Sequence, residues 1–283
     1  MSSTPRQFLL ATVDAAVAAL TCAGSRRFIV ADEVGLGKTT VAREVVKRLS
    51  AGGRKKLTVY YITNNTRVSD QNASRLVDFL GDKDARKPAL STVDRLALIP
   101  LDLGGKRKKP ASPLRVYSLA PQTSFPSETA RPTPGSATER AFLGMLLERA
   151  VPGVSALLPS RFIQQRAEVS WDRACRTAEE AFKTIAPKLI EAYRKALKAR
   201  FDPGGSGRKL GRRIAEAADA KSAARTLTVL RRLLAEACLE ATPPDLIIFD
   251  EFQRFRELLH PAEGDRLGLA LLGRGKKRPA MLL

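Results

Sequence analysis

A chain of 283 residues with 44% hydrophobic and 28% charged residues, 17 Pro and 19 Gly has the profile of one or two ordinary soluble domains, which excludes collagenous, disulfide-stapled and wholly disordered architectures. Lysine and arginine number 49 against 29 aspartate and glutamate, for a formal net charge of +20. A surplus of that size calls for a polyanion, nucleic acid first and an anionic membrane second. Cys22, Cys175 and Cys238 lie far apart and His260 is the single histidine, so no metal-ligand spacing exists and structural zinc is excluded within the chain. Three dispersed cysteines suit a reducing cytoplasm, where each is expected to act as a small buried hydrophobe.

Residues 8–23 are mostly apolar and imitate a secretory segment, but Asp14 interrupts them. The same stretch fits an amphipathic helix with Thr4 as N-cap, Pro5 at the first helical position and Gln7 completing a capping box. No run reaches the roughly 18 apolar residues of a membrane span. A short apolar run, Phe28-Ile29-Val30-Ala31, then leads through Asp32-Glu33-Val34-Gly35-Leu36-Gly37-Lys38-Thr39-Thr40 into the helical pattern Val41, Val45, Leu49. A second strand is expected over residues 57–63 and a second helix over 69–80, with Leu76, Phe79 and Leu80 on one side. Strand, helix, strand, helix in that order predicts a parallel sheet with covering helices.

Residues 82–113 read as a connecting segment with a basic run, Lys106-Arg107-Lys108-Lys109, although residues 96–103 are apolar enough to pack. Residues 114–120 resume a strand, and the Pro/Ser/Thr-rich stretch 126–138 has the composition of a flexible loop that marks a boundary. From 139 to 240 the pattern is helical, with Pro187 expected to kink or split one helix and residues 201–207 breaking it. Residues 161–240 hold 18 Lys/Arg and 10 Asp/Glu. This basic helical insertion reads first as a solvated helical face and second as a nucleic-acid or partner surface. Leu246-Ile247-Ile248-Phe249 is then a buried parallel strand that runs into Asp250-Glu251-Phe252-Gln253, and residues 278–283 begin a further core strand.

A bound triphosphate needs backbone N–H groups, a cation for its outer phosphates and a hydroxyl on its magnesium ion. The strand–glycine loop–helix unit supplies all three. Gly35 and Gly37 allow close backbone approach, Lys38 reaches the β and γ groups, Thr39 ligates the metal, and Leu36 and Thr40 complete the ATP-binding segment. Asp32 stands where the general phosphate-loop signature has its first glycine. The other half of such a site is an acidic pair after an apolar strand. Asp250 suits the metal and Glu251 the attacking water.

At these residues the chain resembles superfamily 2 helicases. ADEVGLGKT, residues 31–39, looks like motif I in the wording of Swi/Snf-type DNA translocases, and IIFDEFQRF looks like motif II with a DEFQ variant of the DEAD/DEAH box. VYYITNN followed by Gln71-Asn72 resembles motif Ia, SLAPQTSF resembles the motif whose Thr-Ser pair touches the tracking strand, and the final PAMLL resembles the strand that leads into motif III. The resemblance implies a RecA-like P-loop NTPase lobe, α/β with a parallel sheet and covering helices, over residues 1–135 and 241–283, with residues 136–240 as an all-α insertion. It implies ATP and Mg²⁺ as cofactors, catalytic roles for Asp250, Glu251 and Gln253, an adenine-reading role for Gln7, and contacts to double-stranded DNA, without sequence preference, from Asn64, Asn65, Thr123 and Ser124. Gln7 as a helix cap and the asparagines as turn residues remain alternatives. A second lobe that carries arginine fingers completes the cleft in this family, and the chain is expected to be truncated before motif III. Expected activity is therefore ATP hydrolysis coupled to movement on DNA. The alternatives are a truncated non-catalytic nucleic-acid-binding fragment and an AAA-type ATPase switch. Trp171, Phe252 and Phe255 are expected to serve packing.

Overall fold

Five short strands, β1 (Arg27–Phe28), β2 (Leu57–Ile62), β3 (Leu114–Leu119), β4 (Leu246–Phe249) and β5 (Ala280–Leu282), pair side by side in the order β1-β5-β4-β2-β3, and every pairing is parallel. Parallel sheets bury both faces, and the apolar character of β4 and of β2, broken only at the half-buried Thr58, follows from that. The computed structural model describes residues 7–22, 24, 26–30, 37–52, 56–64, 66–104, 112–128, 130–251, 259, 261, 265–273 and 278–283. The fold is α/β, as expected from the strand–helix alternation.

The chain forms two units, one of Met1–Asp94, Arg107–Pro121 and Pro243–Leu283, the other of Arg95–Lys106 and Gln122–Thr242. In the sheet unit, one face of the sheet, carrying Val59 and Tyr61 of β2, Val116 of β3, Ile248 of β4 and Leu282 of β5, shares a core with three helices. Helix α1 (Gln7–Thr21) contributes Leu9, Val13, Ala16 and Leu20, spaced by three and four as one helical face requires. Helix α2 (Lys38–Ala51) contributes Val41, Val45 and Leu49, and α3 (Thr66–Leu76) contributes Ala73 and Leu76. Asp14, the charge that interrupts the apolar run in α1, pairs with Arg48 of α2. On the other face Tyr60, Ile62, Tyr117, Leu119, Ile247 and Met281 are buried, and the Tyr60 and Tyr117 rings meet edge to face at 5.7 Å. Strand β1 is shorter than expected, but Val30 N–H donates to Leu283 O at 2.7 Å and carries the pairing past its end. A short helix, α4 (Lys83–Arg86), capped by the Asp82 carboxylate on Ala85 N–H, follows in the segment read as a connector.

The helical unit starts earlier in the sequence than the composition suggests. Its members are α5 (Ile99–Gly104), α7 (Ala137–Ala150), α8 (Glu168–Phe182), α9 (Pro187–Phe201), α10 (Leu210–Ala217) and α11 (Ala223–Ala241). A four-residue helix, α6 (Pro121–Ser124), follows β3, and α12 (Arg266–Leu272) lies between β4 and β5. The boundary expected at residue 135 is corrected. Residues 95–106 belong to this unit because Leu96 and Ile99 are fully buried in it, α5 packing on α8 and the preceding turn on α11. Residues 126–138 are tied down too: the carbonyl oxygens of Pro126, Thr133 and Gly135 accept from Arg232, Arg231 and Arg140 at 2.7, 2.8 and 2.7 Å. Pro187 splits the helical run, standing at the first position of α9, where its missing N–H costs nothing. Glu139 is completely buried and receives both Arg231 nitrogens, at 2.8 and 3.1 Å, and Arg95 at 3.1 Å. The expectation that each cysteine is a small buried hydrophobe holds for Cys238 and is corrected for the others: Cys175 is half-buried and Cys22 is exposed. Among the described residues no helix is long and apolar enough to cross a membrane.

Candidate functional site

Helix α2 begins at a glycine that no other residue replaces easily. Gly37 has φ 97°, a left-handed conformation, and a β-carbon there would lie 3.3 Å from Leu9 Cδ1. It brings no side-chain cap to the helix, so the first-turn N–H groups and the positive end of the helix favour an anion at this point. Lys38 is exposed and Thr39 half-buried in that first turn.

The acids arrive from β4. Asp250 N–H donates to Ile62 O at 3.0 Å, which continues the ladder with β2 by one residue. The Asp250 carboxylate accepts the Tyr61 hydroxyl at 2.5 Å, and that oxygen accepts Asn72 Nδ2 at 3.2 Å. Burial, followed by the bond to Asp250, pushes the Tyr61 phenol far above its ordinary range, so it stays a donor and holds one carboxylate oxygen in place. The next residue, Glu251, is exposed and has φ 60°, a region that L-residues other than Asn and Asp seldom occupy.

Lys38, Thr39, Tyr61, Asp250 and Glu251 line one cavity of about 110 Å³. Lys38 and Asp250 are separated by 212 positions in sequence. Strand β5 lies between β1 and β4, and two strand spacings set the carboxyl ends of those strands about 10 Å apart. The ends of parallel strands are where ligands of open α/β sheets bind. Among the described residues no group of three or more His, Cys, Asp and Glu gathers as a metal cluster. One carboxylate, one hydroxyl and open positions for water and phosphate oxygen suit Mg²⁺, which keeps several waters and takes few protein ligands.

Other expected site residues fall differently. Thr40 is in the first turn of α2 without lining the cavity, and Gln7, the exposed first residue of α1, does not line it either. Asn64 is half-buried two residues beyond β2. Gly35, Leu36, Asn65 and Gln253 lie outside the described residues, as do Asp32, Phe252, Phe255 and the basic run 106–109. The reading of Ser124 as a nucleic-acid contact is corrected. Its side chain is 1% exposed and its oxygen accepts Leu96 N–H at 3.3 Å, so the hydroxyl is used inside the helical unit. Thr123 beside it is half-buried. Tyr61 was not singled out from the sequence. Its only signal there is a period-two position shared with Val59, on the face that α2 covers, where a buried phenol needs a partner.

A larger cavity, about 790 Å³, lies in the helical unit among Met145, Phe162, Ile163, Trp171, Cys175 and Phe182. Trp171 thus borders a cavity rather than filling one. Burial, then the acids Glu179 and Asp172, pushes the Cys175 thiol up, away from the reactive thiolate. No family model matches the chain, no curated protein matches it and no solved structure matches it.

Proposed function

We propose that the sheet unit is the ATP-binding lobe of a nucleic-acid-dependent ATPase, a RecA-like P-loop lobe of the superfamily 2 helicase and translocase type that hydrolyses ATP to move on DNA when a second lobe completes the cleft. The observation that carries the reading is the meeting of Lys38, Thr39, Asp250 and Glu251 around one cavity at the carboxyl ends of parallel strands. That Lys38 with Thr39 and Asp250 with Glu251, far apart in the chain, are brought to one cavity by the sheet order supports the reading.

In this reading Mg·ATP supplies the transferable phosphoryl group and the charge-neutralising ion. Lys38 pairs with the outer phosphates and the α2 N-terminus faces them. The Thr39 hydroxyl and the Asp250 carboxylate hold the metal, and Tyr61 fixes the rotamer of Asp250 through its hydrogen bond. Glu251, exposed at the rim, accepts a hydrogen bond from the attacking water and aligns it. The +20 charge supports nucleic acid as the second partner.

Calorimetric titration of the chain with Mg·ATP tests this directly. Lys38→Ala is expected to weaken binding by tenfold or more, since it removes a charge-assisted contact to phosphate, roughly 1.5–3 kcal/mol. Omitting Mg²⁺ should weaken it as well. Equal affinity in Lys38→Ala and the parent chain would remove the phosphate-loop assignment.

A further inference from the structure

Helices α9 and α10 and the turn between them concentrate cations beyond anything the nucleotide reading needs. Between residues 194 and 213 there are eight Lys/Arg and one acid, Asp202. The fold internalises that acid. Asp202 is 2% exposed, one carboxylate oxygen accepting Gly207 N–H at 2.7 Å and the other pairing with Arg213 at 2.7 Å. A β-carbon at Gly205 would run into the same carboxylate, so the turn is built tightly around it. Arg200 is committed to Glu128 at 2.8 Å. The six that remain, Arg194, Lys195, Lys198, Arg208, Lys209 and Arg212, are all exposed, and no ion pair among the described residues involves them.

They also lie together. On α9 the buried residues Leu189, Ala192, Tyr193, Ala196 and Leu197 occupy one face, which leaves Arg194, Lys195 and Lys198 as neighbours on the opposite one. The Lys198 stem reaches to 4.0 Å from the β-position of Gly207, next to Arg208 in sequence. Arg213 of α10, reaching back to Asp202 just past the end of α9, joins the two helices. On α10, Leu210 and Ile214 are buried and Arg212 is exposed. Like charges at this density repel one another and stabilise nothing locally beyond the end of α9. The acids on the two helices, Glu191 and Glu216, each stand one helical turn from the cluster, beside Arg194 and Lys195 and beside Arg212, and no ion pair among the described residues joins them to these cations.

We infer that the α9–α10 hairpin is a docking surface for the sugar-phosphate backbone of a nucleic-acid duplex, contacted without regard to base sequence. Its exposed cations complement phosphate in charge, and a backbone that they neutralise gives up its condensed counterions. An anionic membrane suits it less well, since an interfacial helix needs an apolar face for the acyl boundary and the apolar faces of α9 and α10 are already buried. A single strand suits it less well too, because unstacked bases need aromatic platforms and the patch presents Lys and Arg only.

The test is fluorescence anisotropy of two unrelated labelled duplexes with the full chain, without nucleotide, across a salt series. One variant carries glutamine at the six positions. A control carries glutamine at Arg149, Arg166, Arg173, Arg176, Lys221 and Arg225, six exposed cations elsewhere in the unit. The hairpin variant is expected to lose at least about tenfold in affinity near 100 mM salt, and its plot of log affinity against log salt should flatten by about 3 or more, at about 0.9 per lost phosphate contact. The control should stay within a few fold of the parent. Equal losses in both variants, an unchanged hairpin variant, or tight binding to anionic vesicles with none to duplex would each overturn the inference. If the sixfold variant has lost its helical circular dichroism, the pair Lys195→Gln and Lys209→Gln reads the same slope, with a flattening of about 2 expected. The inference does not depend on the nucleotide site: the duplex titrations are made without nucleotide, so a failure of one reading leaves the other standing.

Discussion

Glu251 holds a backbone conformation that works against its own side chain. A β-carbon in the left-handed region costs about 1–2 kcal/mol, a cost that glycine avoids, yet the residue at φ 60° is a glutamate at the rim of the cavity with Asp250 and Lys38. Strain at such a place points to a need for the carboxylate. Glu251→Gly is therefore expected to leave thermal stability unchanged or to raise it by up to about 1 kcal/mol. Mg·ATP affinity should be retained, and phosphate release with duplex DNA, measured with the cleft completed by a second lobe, reduced to background. Normal phosphate release would take Glu251 out of the chemistry, and a clear loss of stability would take away the strain argument. The acidic pair was legible in sequence because an apolar run stops at two carboxylates. The strain was not, since a positive φ at glutamate has no composition signature. Nor was the role of Tyr61, because the bond to Asp250 joins residues 189 positions apart.

Local periodicity carried the elements that depend on their own sequence. Strands β2 and β4 and helix α2 follow from runs and spacings within a dozen residues, and the split at Pro187 follows from a missing N–H. The segment 126–138 shows where this stops. Its composition is that of a loose linker, but its Thr133 carbonyl is held by an arginine 98 positions away, and no window of sequence contains both. That arginine, Arg231 of α11, is 1% exposed and forms the bidentate pair with Glu139 near the start of α7, whose own N–H is capped by Ser136. Arg231→Ala is expected to destabilise the chain by about 3–5 kcal/mol, because it leaves a buried carboxylate with Arg95 as its remaining partner. Replacing the pair together, Arg231→Met with Glu139→Leu, should recover part of that loss, since apolar residues of similar volume avoid the desolvation of two charges, while Arg95 loses its bond to Glu139. Urea midpoints of the single and double variants check both statements. A double variant no better than Arg231→Ala would mean that the bonds from Arg231 to Thr133, and not the ion pair, hold the segment.

At the scale of the whole molecule, a nucleotide site and a cationic surface on one chain do not by themselves make a translocase. A motor requires that each ligand change the affinity for the other, and linkage requires the two changes to be equal. With the cleft completed by a second lobe and turnover blocked by Glu251→Gln, which keeps the proposed metal ligand Asp250 and phosphate contact Lys38 in place, both can be measured at equilibrium. Saturating duplex is expected to tighten Mg·ATP binding by at least about fivefold, and saturating Mg·ATP to tighten duplex binding by the same factor, a coupling of about 1 kcal/mol. Salt has to be held constant across all four titrations, because the surplus of +20 makes every duplex measurement depend on it. A factor of one in both directions would overturn the ATP-driven movement proposed for this chain, while the phosphate loop, tested by Lys38→Ala, and the α9–α10 surface, tested by its six glutamines, would each stand on their own measurements. Unequal factors would show that the two titrations had not reached the same equilibrium and call for their repetition at longer times. A reciprocal factor of five or more, lost when the six hairpin cations become glutamine, would place the coupling between the nucleotide and the surface that this charge distribution singles out.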